Sequence, residues 1–330
     1  MSKDKLGFAV IGCGNFGTRR IKSIAENKQA ELICVVDVIK ERAMKTAKKY
    51  GCNYYTDFKK AIKRKDVECI IVATPNNSHA SISIAALQNK KHVWCEKPLA
   101  IKLGEASNMI KAASKNKVFL KTGSNLRYFL NIQKGIDILK KNVLGELLFL
   151  RGWIGNSGEN LNPWHFDKKI AGGGTLLDNG FHIIDLTLLF LGKIKECMGC
   201  VNPISLKTQD LEDNAFAILR SSNGKVAFLH SSWKEWNSYM YMEVYGNDGH
   251  ISIDNRGSIS KTVFVKRDGN SKTFDYSNER IQSYELELKD YIQSIMNNQQ
   301  PHASGLEGME VLKIIHRIYE SSKTGQIIVL

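Results

Sequence analysis

Three ionisable side chains recur at helical spacing within the stretch GGGTLLDNGFHIID, residues 172–185. Asp178, His182 and Asp185 stand at i, i+4 and i+7, which is one stripe of a helix. The rest of that helix is apolar, continuing through Leu186, Leu188, Leu189, Phe190 and Leu191 to a stop at Gly192. Histidine titrates near neutral pH and is suited to taking a proton from a hydroxyl or returning it. An acid one turn earlier can orient the imidazole or contact the substrate. Lys97, in Glu96-Lys97-Pro98, directly follows the apolar run His92-Val93-Trp94-Cys95. At a strand end, a lysine is either a surface charge or a donor that stabilises developing negative charge in a crevice. Pro98 is compatible with a cis bond, and the sequence leaves the isomer open.

The elements that must position Lys97 are legible in the first half. The apolar run Leu6 to Ile11 ends in Gly12-Cys13-Gly14-Asn15-Phe16-Gly17, and a helical stretch, Thr18 to Glu26, follows. A second apolar run, Glu31 to Val36, closes on Asp37. A lone GxGxxG is weak, but strand, glycine loop, helix, strand and acid in that order form a dinucleotide-binding fingerprint. The glycines let the backbone approach a pyrophosphate at the helix N-terminus. Asp37 is expected to accept hydrogen bonds from the ribose hydroxyls and repel a 2′-phosphate, which favours NAD over NADP. Lys40 and Arg42, close by, are cations able to tolerate that phosphate. Further strands are expected at Asn53-Tyr54-Tyr55, Glu68 to Ala73, His92 to Cys95 and Val118 to Thr122. Repeated strand–helix units imply a doubly wound parallel sheet with ligands at its carboxyl ends. The loops opening at Gly12, Asp37, Thr74, Glu96 and Gly123 then line one crevice. Its expected cofactor contacts are Gly12, Gly14, Asn15, Phe16, Gly17, Asp37, Thr74, Pro75, Asn76, His79, Glu96 and Lys97, with His79 capping or orienting the loop.

The second half reads as a helix from Asn131 to Asn142, a strand from Leu147 to Trp153, and a mixed polar–aromatic loop from Gly155 to Ile170. Leu211 to Val265 alternates apolar residues between Ser-Asn-Gly, Gly-Asn-Asp-Gly and Asp-Asn-Arg-Gly, which are hairpin signals. A meandering antiparallel sheet follows, with late helices at Tyr284 to Ile295 and Gly308 to Tyr319. Expected substrate contacts are Lys97, Asn125, Arg127, Trp153, Trp164, His165, Asp178 and His182. The loop residues among them are equally compatible with an exposed loop held down by Trp164.

Composition narrows the class. The 330 residues carry 43% hydrophobic and 24% charged side chains, an ordinary globular balance with room for two domains. No apolar run is long enough to span a membrane, and the first residues lead quickly into a strand, so a cytoplasmic protein without a signal peptide is expected. The seven cysteines form no disulfide framework, and the CxxC at Cys197 and Cys200 lacks further zinc ligands. No metal motif is present. The net charge of +14 is dispersed over paired lysines, without a nucleic-acid-binding motif, and mildly favours an anionic substrate. His92, His230, His250 and His316 have no partner motif and read as structural.

Together, GCGNFG, ATPNNSHA, EKPLA and GGGTLLDNGFHIID, with the closing SGLEGMEVLKIIHRIYESSKTGQIIVL, resemble the glucose–fructose oxidoreductase/inositol dehydrogenase/MocA family along nearly the whole chain. The resemblance implies a Rossmann domain, 1–123, and a substrate-binding and oligomerisation α/β domain, 124–330, built on a large, open, mostly antiparallel sheet. The last helix and strand are expected to return to the first domain. It further implies a homodimer or homotetramer through that sheet, and a catalytic cluster of Lys97, Asp178 and His182. Asp185 matches a family acid of less uniform role. The implied activity is NAD-dependent hydride transfer at a secondary hydroxyl or keto carbon of a sugar, cyclitol or nucleotide-sugar. The alternatives are a glycoside hydrolase using transient oxidation and a non-catalytic sugar sensor.

Overall fold

A computed structural model describes residues 5–203, 211–279 and 282–330. The first half runs β1 (Leu6–Ile11), α1 (Asn15–Ala25), β2 (Ala30–Val36), α2 (Lys40–Tyr50), β3 (Asn53–Tyr55), α3 (Phe58–Ile62), β4 (Cys69–Val72), α4 (His79–Gln88), β5 (His92–Cys95), α5 (Leu103–Asn116) and β6 (Leu120–Thr122). There follow α6 (Leu130–Lys140), β7 (Leu147–Gly155), α7 (Lys168–Ala171), α8 (Thr175–Leu191), β8 (Ile194–Asn202), β9 (Asn214–Ser221), β10 (Val226–Ser232), β11 (Tyr239–Gly246), β12 (Gly249–Asp254), β13 (Lys261–Lys266) and β14 (Ser271–Asp275). The chain closes with α9 (Ser283–Met296), α10 (Gly305–Thr324) and β15 (Ile328–Val329).

Contacts divide the chain into two units, Met1–Asn125 with Gln282–Met309 and Leu126–Ile281 with Glu310–Leu330. The first unit holds a six-stranded sheet in the order β3-β2-β1-β4-β5-β6, with every neighbour parallel. Its central strand β4 is buried on both faces, as an apolar run covered by helices must be. Leu288, Tyr291 and Ile292 of α9 enter the same core as Phe8, Val10, Ile21, Ile71 and Trp94. The segment that joins the first unit is therefore α9 with the start of α10. The last strand, expected to return there, pairs antiparallel with β8 in the second unit, Ile328 opposite Cys197.

The second unit is built on a nine-stranded sheet in the order β14-β13-β12-β11-β7-β10-β9-β8-β15. All neighbours are antiparallel except β7 and β10. The three hairpin signals join β9 to β10, β11 to β12 and β12 to β13. Strand alternation sorts the two faces. Leu150, Ala217, Leu219, Leu229 and Met242 are buried on the helix-covered face, whereas Phe149, Phe216, Ile218 and Phe228 are exposed on the other. Cys197 and Cys200, three apart along β8, emerge on opposite faces, one buried and one exposed, so they share no site. Among the described residues no helix is long and apolar enough to cross a membrane.

Candidate active site

The glycine loop of the first unit turns where β1 ends. Gly12 has φ +100°, and a Cβ there would lie 2.4 Å from the Ala73 carbonyl oxygen. A Cβ on Gly17 would lie 1.8 Å from the Gly12 carbonyl oxygen, so only glycine lets α1 start this close to β1. Gly14 caps α1 without any side-chain hydrogen bond, and nothing stands within 4 Å of where its Cβ would be. The first amides of α1 thus face an open cradle of the shape and polarity a pyrophosphate needs. At the end of β2, Asp37 is buried; its Oδ2 accepts from the Cys13 amide at 2.9 Å and its Oδ1 from the Ile39 amide at 2.9 Å. Arg42 pairs with the same Oδ2 at 3.3 Å. Oδ1, with a single donor, retains acceptor capacity, so the residues present fit a nicotinamide dinucleotide with unphosphorylated ribose.

His79 clasps two strand-end loops. Its Nδ1 lies 2.8 Å from the Pro98 carbonyl oxygen and its Nε2 2.8 Å from that of Thr74. Burial lowers its pKa, outweighing the two carbonyls that favour the charged ring. The Ser78 hydroxyl donates to Thr74 Oγ1, while Pro75 and Asn76 begin the turn leading into α4. Asn15 and Phe16 open α1, with the Phe16 ring exposed. Lys97 precedes a cis bond to Pro98. The Glu96 carboxylate, expected on the cofactor, is instead turned inward to Arg20, 2.6 Å from its Nε. Burial opposes its ionisation, but the Arg20 guanidinium prevails and holds the carboxyl below its usual range.

In the second unit, α8 is buried around almost its whole girth. Asp178 Oδ2 accepts from Trp233 Nε1 at 3.1 Å, and His182 lies one turn on, buried. Asp185 is not part of a free stripe: its carboxylate takes both the Nε and an Nη of Arg127, the former at 2.8 Å, in a buried bidentate pair. That pairing gives Asp185 an anchoring role and binds the guanidinium of Arg127, a residue expected on the substrate. Asn125 begins the short turn that carries Arg127. His165 is buried and stacked on Trp164 with ring centroids 3.7 Å apart, and its Nδ1 lies 3.0 Å from the Asn162 carbonyl oxygen.

Trp153 is a correction. Along β7 the neighbouring Gly152 faces α8, where a Cβ would meet Ile183 at 2.9 Å, so Trp153 points to the opposite face. There it hydrogen-bonds the Tyr239 hydroxyl and packs on Tyr241. It is therefore not gathered with Asp178 and His182.

One buried acid escaped sequence reasoning. Glu212 Oε1 accepts from the Gly174 amide at 2.9 Å, the Leu176 amide at 3.0 Å and the Tyr319 hydroxyl at 2.7 Å. A Cβ on Gly174 would fall 1.9 Å from the Glu212 carbonyl oxygen, which accounts for the glycine at that position. The chain's own carboxylate thus occupies that helix N-terminus. Burial raises the Glu212 pKa despite these three donors. Among the described residues no group of three His, Cys, Asp or Glu side chains is placed to hold a metal ion.

Comparison with known proteins agrees with this architecture. Residues 6–124 match the model of an oxidoreductase family's NAD-binding Rossmann fold, and residues 136–330 match the C-terminal α/β domain of the same family. A myo-inositol 2-dehydrogenase of Thermotoga maritima is 28% identical, with 92% of each chain covered. A 2,7-anhydro-N-acetylneuraminate hydratase of Escherichia coli is 30% identical over 76% of this chain and 68% of its own. The solved structure of a levoglucosan dehydrogenase with NADH and levoglucosan superposes with a TM-score of 0.90 at 23% identity, covering 98% of this chain and 99% of that one. The chain belongs to the GFO/IDH/MocA oxidoreductase family, with an NAD-binding Rossmann fold followed by the family's C-terminal α/β domain.

Proposed function

We propose that this oxidoreductase transfers a hydride between a secondary hydroxyl or keto carbon of a sugar or cyclitol and NAD. The observation that carries this reading is the mounting of α8. Asp178 is held by Trp233 and Asp185 by Arg127, which leaves His182 one turn from a fixed acid on a rigid, buried helix. Bound NAD would supply the hydride acceptor, held by the Gly12–Gly17 loop, Asp37 and the Thr74–Asn76 turn. His182 takes the hydroxyl proton in oxidation and returns it in reduction, which avoids a free alkoxide. Asp178 orients the imidazole. Lys97 donates to the reacting oxygen and stabilises its developing charge. Asn125, Trp164 and His165 hold the remaining hydroxyls.

The relatives named for inositol and anhydro sugars support a polyol substrate. The dispersed charge of +14 favours an anionic one. Asp37 favours NAD over NADP. The exposed Phe149, Phe216, Ile218 and Phe228 on one sheet face suit a second copy of this chain, giving a homodimer or tetramer. Seven free thiols fit the reducing cytoplasm. The test is a panel of inositols, anhydro sugars and sugar acids offered with NAD and with NADP. Stoichiometric NADH with at least one polyol supports the reading; glycoside cleavage without net NADH, or no turnover with any polyol, overturns it.

A further inference from the structure

Four charged side chains meet in the interior of the first unit, and none is accounted for by the cofactor or the substrate. Arg20 on α1 is 2% exposed, Glu287 on α9 and Lys121 on β6 are fully buried, and Glu96 directly follows β5. Arg20 Nε lies 2.6 Å from Glu96 Oε1 and its Nη1 2.7 Å from Glu287 Oε2. Glu287 Oε1 accepts from the Ser124 amide at 2.8 Å and lies 3.5 Å from Lys121 Nζ. Lys121 Nζ also donates to the His302 carbonyl at 2.6 Å. The Arg20 guanidinium is sandwiched over the rings of Trp94, at 4.1 Å, and Tyr284, at 4.7 Å.

Two cations and two carboxylates balance in charge, yet a buried ionic cluster gains little stability over apolar side chains of the same volume. What the cluster does provide is registry. It ties the helix that follows the glycine loop to the ends of β5 and β6, and the residue bonded to Glu96 is Lys97. On the far side of Lys97, His79 clasps the Pro98 carbonyl. Lys97 is thus held from both flanks, by a salt bridge before it and a histidine contact after it.

We infer that Arg20, Glu96, Glu287 and Lys121 are positioning residues for Lys97, so that a carboxylate contributed by α9, far along the chain, sets the placement of the proposed catalytic lysine. The inference rests on the function proposed above. Glu287→Gln preserves shape but removes one of the two carboxylates that fix Arg20. With whichever polyol the parent oxidises, kcat is expected to fall about 100-fold, the loss associated with roughly 1 Å of misplacement. NADH affinity, read by fluorescence titration, should stay close to the parent's; the melting temperature should fall, because a buried cation loses its partner, so kcat is read well below it. Since the effect passes through Lys97, adding Glu287→Gln to Lys97→Met should cost no further activity.

A folded Glu287→Gln with kcat within about twofold of the parent overturns the inference, as does additivity with Lys97→Met or loss of NADH binding in proportion to kcat. If Glu287→Gln does not fold, Arg20→Lys carries the same comparison. Failure of both to fold assigns the cluster to stability and also overturns it. Should Lys97→Met alone turn over like the parent, the proposed function fails rather than the network.

Discussion

Replacing Glu212 tests how α8 is held. In Glu212→Ala the Gly174 and Leu176 amides and the Tyr319 hydroxyl lose their common acceptor. A buried donor left unsatisfied costs about 1–3 kcal/mol. The two amides alone bring the expected loss to about 4 kcal/mol. Glu212→Gln keeps an acceptor oxygen for those donors. It also removes a carboxylate that burial already disfavours, so its cost should stay below about 1 kcal/mol. Urea unfolding followed by tryptophan fluorescence and by far-UV circular dichroism distinguishes the two variants. Because α8 carries Asp178 and His182, Glu212→Ala should also depress kcat under conditions where the variant is fully folded. Equal destabilisation by alanine and glutamine would refute the reasoning, because the charge and not the acceptor would then matter. So would an alanine cost under about 1 kcal/mol.

Breaking the Arg127–Asp185 pair on one side, with Asp185→Asn or Arg127→Met, should cost about 3–5 kcal/mol by urea denaturation; the double variant Arg127→Met/Asp185→Leu should cost less than either alone. Burial lowers the pKa values of His79, His92 and His230 below the ordinary 6.5. Below that pH the unfolded chain binds protons on them that the folded chain does not, so their stability contribution is complete above 6.5 and is lost as pH falls through the lowered folded values. The urea midpoint should therefore fall between about pH 7.5 and about pH 5.5. Glu212, whose pKa is raised, acts in the opposite sense, so the comparison is cleanest in Glu212→Gln; a midpoint that rises on acidification there would contradict it.

The parallel sheet was legible because most of its strands are local apolar runs punctuated by glycine, proline and acid, and β1 to β5 are each followed by a helix. The cofactor loop and the stripe on α8 were equally local, set by spacings of a few residues. What sequence could not disclose were partners that the fold brings together from far apart. Arg20 meets Glu287 across 267 positions and Glu212 meets Tyr319 across 107, and neither acid stands in a motif. Charged residues in such places are normally solvated, so nothing in their neighbours marks them as buried. Trp153 was misplaced for another reason. Leu147-Leu148-Phe149-Leu150 is apolar on both parities, so alternation gives no face, and only the contact of Gly152 with Ile183 decides it. Asp185 shared the spacing of the stripe but not its chemistry, because Arg127 reaches it from a turn 58 positions earlier.

The central claim is that His182 moves the substrate proton. Its most direct test is the rate of NADH formation by His182→Ala with the best polyol of the panel, compared with the parent at saturating NAD. Loss of a positioned general base should lower kcat by about 100- to 10,000-fold, with NADH affinity within about threefold of the parent. A folded His182→Ala that forms NADH as fast as the parent would contradict the account.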